Sequence, residues 1–281
     1  MNDTEKTNKR KGDEKDQCPH CGENVDEEPQ HVLKKLRPAE EFINFTPQVI
    51  RAPRPKVISA LLAPGDGPRG PMEMHFIQKI ELGDGAALFR FHLSNDELGT
   101  LHQDMRDERP DEYEHFQFMG KTVKHPRKMK AYGRSYFFSG RRHTAAALQD
   151  TPKSLLDTMK IIEEVCRRCD STPDVKFNSA LVNWYANGHE YIAKHSDDER
   201  DLVAPPTVAT LTLGQERVFR VRRKSDNAIV KDVKLQHGSV YIMYGANFQK
   251  QYTHEVPKVS GKKGDQMKER ISVTLRQHKN E

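Results

Sequence analysis

The second half of the chain is dominated by short runs of apolar and β-branched residues that alternate with polar turns. Six such runs follow one another, at 177–185, 207–213, 217–224, 229–235, 238–244 and 270–277. Their length, and turn sequences such as Ser225-Asp226-Asn227 between them, are typical of antiparallel strands. The pattern predicts an antiparallel sandwich or barrel without an internal repeat.

Two helices are predicted ahead of these strands. Ser94 is followed three residues later by Glu97, the spacing of a capping box, which predicts a helix from about residue 95 to 106. The second helix ends before Pro173 and has apolar residues at helical spacing: Leu155, Met159, Ile162, Cys166 and Cys169. Helices combined with a strand-rich second half predict an α+β, mainly β, fold class.

Two N-terminal segments lack a regular apolar pattern. Residues 1–45 are highly charged and are expected to be a disordered tail, and residues 46–71, with six prolines and three glycines, are expected to be an extended linker. Cys18-Pro-His-Cys21 in the tail resembles half of a zinc ribbon, but no second cysteine pair follows at the usual spacing. A zinc ion held by Cys18 and Cys21, completed by His20 or His31, is the alternative. Residues 72–281 form the predicted folded domain.

The composition excludes a membrane-spanning chain. Only 35% of the residues are hydrophobic, the mean hydropathy is −0.85, and no segment approaches the roughly 18 consecutive apolar residues that a spanning helix needs. Residues 2–17 contain no apolar side chain, so a secretory signal is not expected. We therefore expect a soluble intracellular chain whose four cysteines are thiols or metal ligands. On their helix face, Cys166 and Cys169 are expected to be buried thiols.

Positive charge is concentrated in one window. The net charge is +5, yet eight Lys and Arg residues and no acidic residue lie between Lys121 and Arg142. The aromatic residues interleaved with them are Tyr132, Tyr136, Phe137 and Phe138. Basic side chains neutralise phosphates and aromatic rings stack on bases, so the window favours nucleic-acid binding. A solvated basic loop is the alternative.

Two His-x-Asp sequences are candidate metal ligands. His102 and Asp104 lie in a predicted helix, where residues two apart point to nearly opposite sides and do not share an ion. His195 and Asp197 follow the strand at 177–185, and in an extended segment their side chains project from the same face. His254 in a later polar stretch is the candidate third ligand. Two histidines and one carboxylate leave the opposite coordination positions open, as in non-haem Fe(II) oxygenases.

The last predicted strand has one wholly polar face. Arg270, Ser272, Thr274 and Arg276 alternate there with apolar residues. An edge strand has this pattern, but two arginines so close after a candidate ligand histidine also fit a site for a dicarboxylate, which guanidinium groups bind with two hydrogen bonds.

Together these residues resemble the AlkB family of Fe(II)- and 2-oxoglutarate-dependent nucleic-acid dioxygenases, over roughly residues 89–277. The resemblance is carried by Asn183-Trp-Tyr185, His195-Ser-Asp197-Asp198-Glu199, His254 and Arg270-x5-Arg276. It extends upstream to the lid of members that repair alkylated duplex DNA, through Gly120-Lys121, Pro126-Arg127-Lys128, Tyr132-Gly133 and Tyr136-Phe137-Phe138-Ser139-Gly140. The family fold is a double-stranded β-helix, or jelly roll, with supporting helices. It implies a nucleotide-recognition lid at about 112–145 and a jelly-roll core at about 175–281.

The resemblance also implies roles for individual residues. His195, Asp197 and His254 would be the catalytic Fe(II) ligands. Arg270, aided by Tyr185, would bind the distal carboxylate of 2-oxoglutarate, and the remaining cosubstrate residues would be Asn183, Thr274 and Arg276. The family often has Asn where this chain has Ser272, which puts the cosubstrate affinity in question.

Substrate binding is assigned by the same resemblance to the lid and to Asp198. Met119 aligns with a hydrophobic finger that enters the base stack, and Tyr136 and Phe138 would stack a flipped base whose polar edge Asp198 contacts. Gly120, Lys121 and Phe137 complete the expected substrate residues. Phe177 and Trp184 are expected in the core instead.

The implied reaction uses O2 and 2-oxoglutarate to hydroxylate an N-methyl group on a DNA base, with release of formaldehyde, and thereby reverses alkylation damage directly; RNA is the alternative substrate. Two further alternatives are a non-catalytic nucleic-acid-binding jelly roll and a dioxygenase acting on a protein or small molecule. We expect a monomer, located in the nucleus of a eukaryote or otherwise in the cytoplasm.

Overall fold

The computed structural model describes residues 77–138, 141–168, 175–244 and 247–279, except for the side chains of residues 118, 136–138 and 141–143. The predicted tail with Cys18 and Cys21, the predicted linker at 46–71 and Cys169 lie outside the described residues.

The described residues contain fifteen strands, five α-helices and one 3-10 turn at Leu148–Asp150. The strands are β1 Gln78–Gly83, β2 Ala86–His92, β3 His115–Phe118, β4 Lys121–Lys124, β5 Lys128–Gly133, β6 Tyr136–Phe138, β7 Arg141–His143, β8 Ser179–Tyr185, β9 Ile192–His195, β10 Val208–Gly214, β11 Arg217–Arg223, β12 Ile229–Leu235, β13 Ser239–Tyr244, β14 Tyr252–Val256 and β15 Arg270–Arg276. The helices are α1 Asn95–Leu98, α2 Leu101–Asp107, α3 Lys153–Arg168, α4 Phe248–Gln251 and α5 Gly261–Asp265.

Two antiparallel sheets form the body of the fold. The larger sheet has the strand order β1-β2-β13-β10-β15-β8-β5, and the smaller sheet has the order β12-β11-β14-β9. Two hairpins, β3–β4 and β6–β7, are separate two-stranded sheets. All six predicted runs are strands (β8, β10, β11, β12, β13 and β15), and the expected mainly β fold class is confirmed.

The predicted helix at 95–106 is two helices. The capping box is present, since the Ser94 hydroxyl accepts from the Glu97 amide at 3.3 Å and the Glu97 carboxylate accepts from the Ser94 amide at 2.9 Å. The single long helix is wrong because α1 ends at Leu98. Gly99 then takes φ +50°, in the left-handed region where glycine has no Cβ penalty, and α2 starts at Leu101.

Apolar side chains are buried on both faces of the larger sheet. On one face, Phe91, Val182 and Trp184 share a cluster with Ile162 and Cys166 from α3. The burial of Cys166, Phe177 and Trp184 is as predicted. On the other face, residues such as Leu88 and Met243 share a cluster with Phe219 and Val221 of the smaller sheet. Side chains alternate along β8, so Asn183 and Tyr185 line a cavity on the face opposite to Trp184.

Candidate active site

Three predicted metal ligands come together beside the smaller sheet. His195 is the last residue of β9, Asp197 lies in the loop just after it, and His254 is the middle residue of β14. The strands β9 and β14 pair with His195 opposite His254, and their ring centroids are 4.2 Å apart. One donor atom from each of the three residues lies within 4.8 Å of the others. Strand pairing therefore assembles a two-histidine, one-carboxylate cluster.

Hydrogen bonds and burial set the protonation of this cluster. His195 Nδ1 lies 2.9 Å from the Ala193 carbonyl oxygen, which favours a proton on Nδ1 and leaves the Nε2 lone pair for a metal. Burial lowers the pKa of His195 to about 3, and the nearby His254 adds to this effect. The imidazole is thus neutral at pH 7, the form that binds a metal.

Asp197 is fully buried and is ionised. Burial alone would raise its pKa, but the guanidinium of Arg276 and the nearby imidazole of His254 hold it well below its ordinary value. Arg276 Nη2 donates to Asp197 Oδ1 at 2.5 Å. The other oxygen, Oδ2, is 3.4 Å from His254 Nε2 and has no hydrogen-bond donor in good geometry among the described residues. One carboxylate oxygen is therefore fixed while the other is available as a ligand.

The cavity beside the cluster has a cationic wall. Arg270 is 1% exposed, and its Nη2 donates to Thr212 Oγ1 at 3.0 Å. Within the described part of the chain, Arg270 Nε and Nη1 have no hydrogen-bond partner. Burial lowers the pKa of Arg270 to about 10, so the group keeps its charge at pH 7. Tyr185 lies beside it, with the guanidinium carbon 5.1 Å from the ring centroid. The unpaired donors on Nε and Nη1 of this buried cation fit an anionic ligand such as a carboxylate.

These donors decide which groups the site fits. Two imidazoles and an ionised carboxylate suit Fe(II), and the unpaired Nε and Nη1 donors of Arg270 suit the distal carboxylate of 2-oxoglutarate. The sequence profile of the 2OG-Fe(II) oxygenase superfamily matches residues 85–276, which contain both groups of residues. The chain belongs to this superfamily. Fe(II), 2-oxoglutarate and O2 are the metal and reactants of this family, as expected from the sequence.

Curated relatives of this 2OG-Fe(II) oxygenase include AlkB-family proteins. The chain is 34% identical over 134 residues to DNA oxidative demethylase ALKBH2 of Mus musculus, covering 45% of this chain and 53% of the relative. It is 29% identical over 164 residues to DNA oxidative demethylase ALKBH2 of Arabidopsis thaliana, covering 50% of this chain and 48% of the relative. It is 37% identical over 99 residues to alpha-ketoglutarate-dependent dioxygenase alkB homolog 3 of Mus musculus, covering 32% of this chain and 34% of the relative. The chain thus spans about half or less of these relatives.

The other predicted cosubstrate residues of this oxygenase line the same cavity. They are Asn183, Tyr185, Thr274 and Arg276, together with Ser272. They come from the adjacent strands β8 and β15, which pair with Asn183 opposite Ser272. Arg276 has a second contact that the sequence did not predict, the ion pair with Asp197.

The predicted substrate residues whose side chains are described are not among those that line the cavity. Met119, Gly120 and Lys121 are at the turn of the β3–β4 hairpin, where Met119 is 77% exposed with φ +46°. Asp198, next to the candidate metal ligand Asp197, is exposed, and its carboxylate is 3.8 Å from Lys224 Nζ. The backbone of Tyr136, Phe137 and Phe138 forms β6, but their side chains lie outside the described structure.

Two buried side chains near the site were missed by sequence reasoning. Arg127 Nε donates to Asn183 Oδ1 at 2.7 Å, and both residues are 3% exposed. Gln249, in α4, accepts a hydrogen bond from the Asp197 amide through Oε1 at 2.9 Å. Arg127 stood only in a lid motif, and a buried glutamine in a short helix carries no sequence signal of its role.

Proposed function

We propose that this oxygenase removes N-linked methyl groups from nucleobases in DNA by oxidation. It would couple decarboxylation of 2-oxoglutarate to hydroxylation of the methyl group, which then leaves as formaldehyde. The observation that carries the catalytic part is the buried Arg270, with the unpaired nitrogens Nε and Nη1, in the cavity that also contains the His195, Asp197 and His254 side chains. A protein that only binds nucleic acid has no need of that combination.

The residues of the cluster would hold the metal and the cosubstrate. His195, Asp197 and His254 would bind Fe(II) from one side, which leaves positions for 2-oxoglutarate and O2. When bound, these groups supply the oxidation of the methyl group. Arg276 keeps Asp197 ionised and orients it by holding Oδ1. Phe219, whose ring stacks on His254 with centroids 5.2 Å apart, supports that imidazole and keeps water from its face.

Cosubstrate binding would depend on charge and on donors placed before binding. Arg270 would pair with the distal carboxylate, and Tyr185 and Thr274 line the same wall. Because Arg270 is already buried and fixed by Thr212, little ordering is needed when 2-oxoglutarate binds.

Nucleic acid as the substrate is supported by the β3–β4 hairpin and by the names of the relatives. The hairpin has the exposed Lys121 at the same turn as the exposed Met119, and a second exposed lysine, Lys124, at its other end. Lysines neutralise phosphates, and an exposed apolar side chain can occupy the space left by a flipped base. Asp198 would contact the polar edge of that base. The ALKBH2 relatives are named DNA oxidative demethylases, which favours DNA over protein or small molecules.

The proposal is tested with oligonucleotides that contain 1-methyladenine or 3-methylcytosine. Incubation with Fe(II), 2-oxoglutarate and the protein should reduce the oligonucleotide mass by one methylene unit, because the methyl group is replaced by hydrogen. Asp197→Ala should abolish this loss, since the metal would lose a ligand. An unchanged mass with the unaltered protein, or a loss that Asp197→Ala leaves at full rate, would contradict the proposal.

The remaining expectations concern assembly and location. No helix in the described parts of the chain is long and apolar enough to cross a membrane. The monomeric state, and a nuclear or cytoplasmic location, stay predictions.

A further inference from the structure

Arg127 connects the β3–β4 hairpin to the cosubstrate cavity. It lies between the end of β4 at Lys124 and the start of β5 at Lys128, so it belongs to the segment that joins the hairpin to the larger sheet. The side chain is buried, although it ends in a charged guanidinium. Its Nε donates to Asn183 Oδ1 at 2.7 Å, and its Nη1 makes a longer contact of 3.5 Å with the Tyr191 carbonyl oxygen.

This hydrogen bond fixes the orientation of the Asn183 amide. A guanidinium N–H only donates, so the amide atom that faces Arg127 must be the oxygen. The amide nitrogen Nδ2 consequently points away from Arg127. Asn183 lines the cavity that contains Arg270. Within the described residues, no hydrogen bond of Asn183 Nδ2 is present, so both of its N–H groups can serve a ligand.

The opposite strand offers only a small donor at this position. Ser272 pairs with Asn183 in the β8–β15 ladder and carries a single short hydroxyl group. The Asn183 side chain is longer than that of Ser272, so Asn183 Nδ2 reaches further into this part of the cavity than the Ser272 hydroxyl group. If the amide rotated by half a turn, it would present its oxygen to an anionic ligand and repel it.

We propose that Arg127 is a positioning residue for 2-oxoglutarate: it acts through Asn183, whose amide it holds with Nδ2 toward a cosubstrate carboxylate. The inference rests on the cosubstrate site of the proposed function. Arg127 is not among the residues that line the cavity, so it acts on the cosubstrate through Asn183 and not by direct contact. Arg127, which orients the Asn183 amide, thus lies in the segment directly after the β3–β4 hairpin.

Two variants of Arg127 separate its donor from its charge. In Arg127→Gln, the Nε2 atom stands at the same distance along the side chain as Arg Nε, so it can donate to Asn183 Oδ1. In Arg127→Met, a methyl group stands at that position and cannot donate. Both variants lose the charge and have similar volume, so the difference between them isolates the hydrogen bond.

The readout is equilibrium binding of 2-oxoglutarate to the Mn(II)-loaded protein by calorimetry, without turnover. We expect Arg127→Met to raise the Kd about fivefold and Asn183→Ala about tenfold, the loss typical of one hydrogen bond to a carboxylate. Arg127→Gln should stay within about twofold of the unaltered protein. Combining Arg127→Met with Asn183→Ala should weaken binding no further than Asn183→Ala alone, because Arg127 acts through that amide.

The outcomes separate this inference from the proposed function. Arg270→Leu should weaken binding about a hundredfold, and if it does not, the proposed cosubstrate site is itself wrong. If Arg270→Leu has this effect but Arg127→Met binds normally, only the positioning role is overturned. If Arg127→Met and Arg127→Gln weakened 2-oxoglutarate binding equally, the effect would come from the lost charge, and the positioning role would also be contradicted. Thermal unfolding and Mn(II) affinity of each variant report whether the fold and metal site are intact.

Discussion

Gln249 is predicted to hold the two ligand-bearing segments in register. Its Oε1 accepts from the Asp197 amide at 2.9 Å, and its own helix leads directly into β14, which carries His254. The neighbouring Ser196 hydroxyl donates to the Tyr252 carbonyl oxygen at 3.1 Å, at the first residue of β14. Two hydrogen bonds thus fix the loop of Asp197 to the strand of His254.

Gln249→Met removes one of them with little change in volume. Gln249 is 3% exposed, and within the described residues the only hydrogen-bond partner of its amide nitrogen is the sulfur of Met243 at 3.8 Å, so an apolar replacement fits there. The Asp197 amide is left unpaired in the interior, at a cost of about 1–3 kcal/mol. For a domain of this size, that cost corresponds to a fall in Tm of about 2–12 °C. Metal affinity should fall about tenfold, as is typical when a residue that orients a ligand is lost.

The assay is a Mn(II) titration of the metal-free protein together with thermal unfolding. Gln251→Met is the matched control, because Gln251 lies in the same helix and its side chain makes no hydrogen bond within the described structure. That variant should bind Mn(II) normally. If Gln249→Met also kept both Mn(II) affinity and Tm, the reasoning about the two segments would be refuted.

Three further changes test other parts of the structure. Met119→Ala should slow demethylation of duplex DNA more than of single-stranded DNA, because only the duplex needs its stack propped open; equal slowing in a rate comparison would contradict the wedge. Arg217→Met should lower the free energy of unfolding by about 3–5 kcal/mol in a urea titration. The reason is that the buried guanidinium donates to four carbonyl oxygens, including those of Asn187 and Pro257. A decrease under about 1 kcal/mol would mean that water replaces those bonds. Trp184→Phe should lower the free energy of unfolding by about 1–3 kcal/mol in the same assay, because the 2.6 Å hydrogen bond from Trp184 Nε1 to the Met105 carbonyl oxygen is lost. An unchanged free energy of unfolding would contradict a role for that bond.

Four strands of the larger sheet, β8, β10, β13 and β15, could be predicted because they are buried on both faces. All seven residues of β8 are buried, so its sequence is an almost continuous apolar run. The strand β14 was missed because its half-buried Thr253 and Glu255 alternate with the buried residues and make the segment look polar. That alternation, from Tyr252 through His254 to Val256, was the available signal for a strand with one buried face.

The cluster of His195, Asp197 and His254 could be predicted from residue type, but the residues that hold it in place could not. His195 and Asp197 are neighbours in sequence, and the two arginines of β15 lie on one face of a single strand. The Arg127–Asn183 hydrogen bond joins residues 56 positions apart, and the Gln249–Asp197 bond joins residues 52 apart. Such pairs depend on how strands and loops meet in space, which one sequence does not specify. The break at Gly99 was missed because an isolated glycine is tolerated inside many helices.

The central claim is that oxidation of a base methyl group is coupled to consumption of 2-oxoglutarate at the His195, Asp197 and His254 cluster. The most direct measurement counts succinate and formaldehyde formed in the same reaction with a 1-methyladenine oligonucleotide. We predict one formaldehyde for each succinate, and neither product at a significant rate with Asp197→Ala. Succinate formed at full rate without loss of the methyl group, on DNA of either strandedness, would contradict the account.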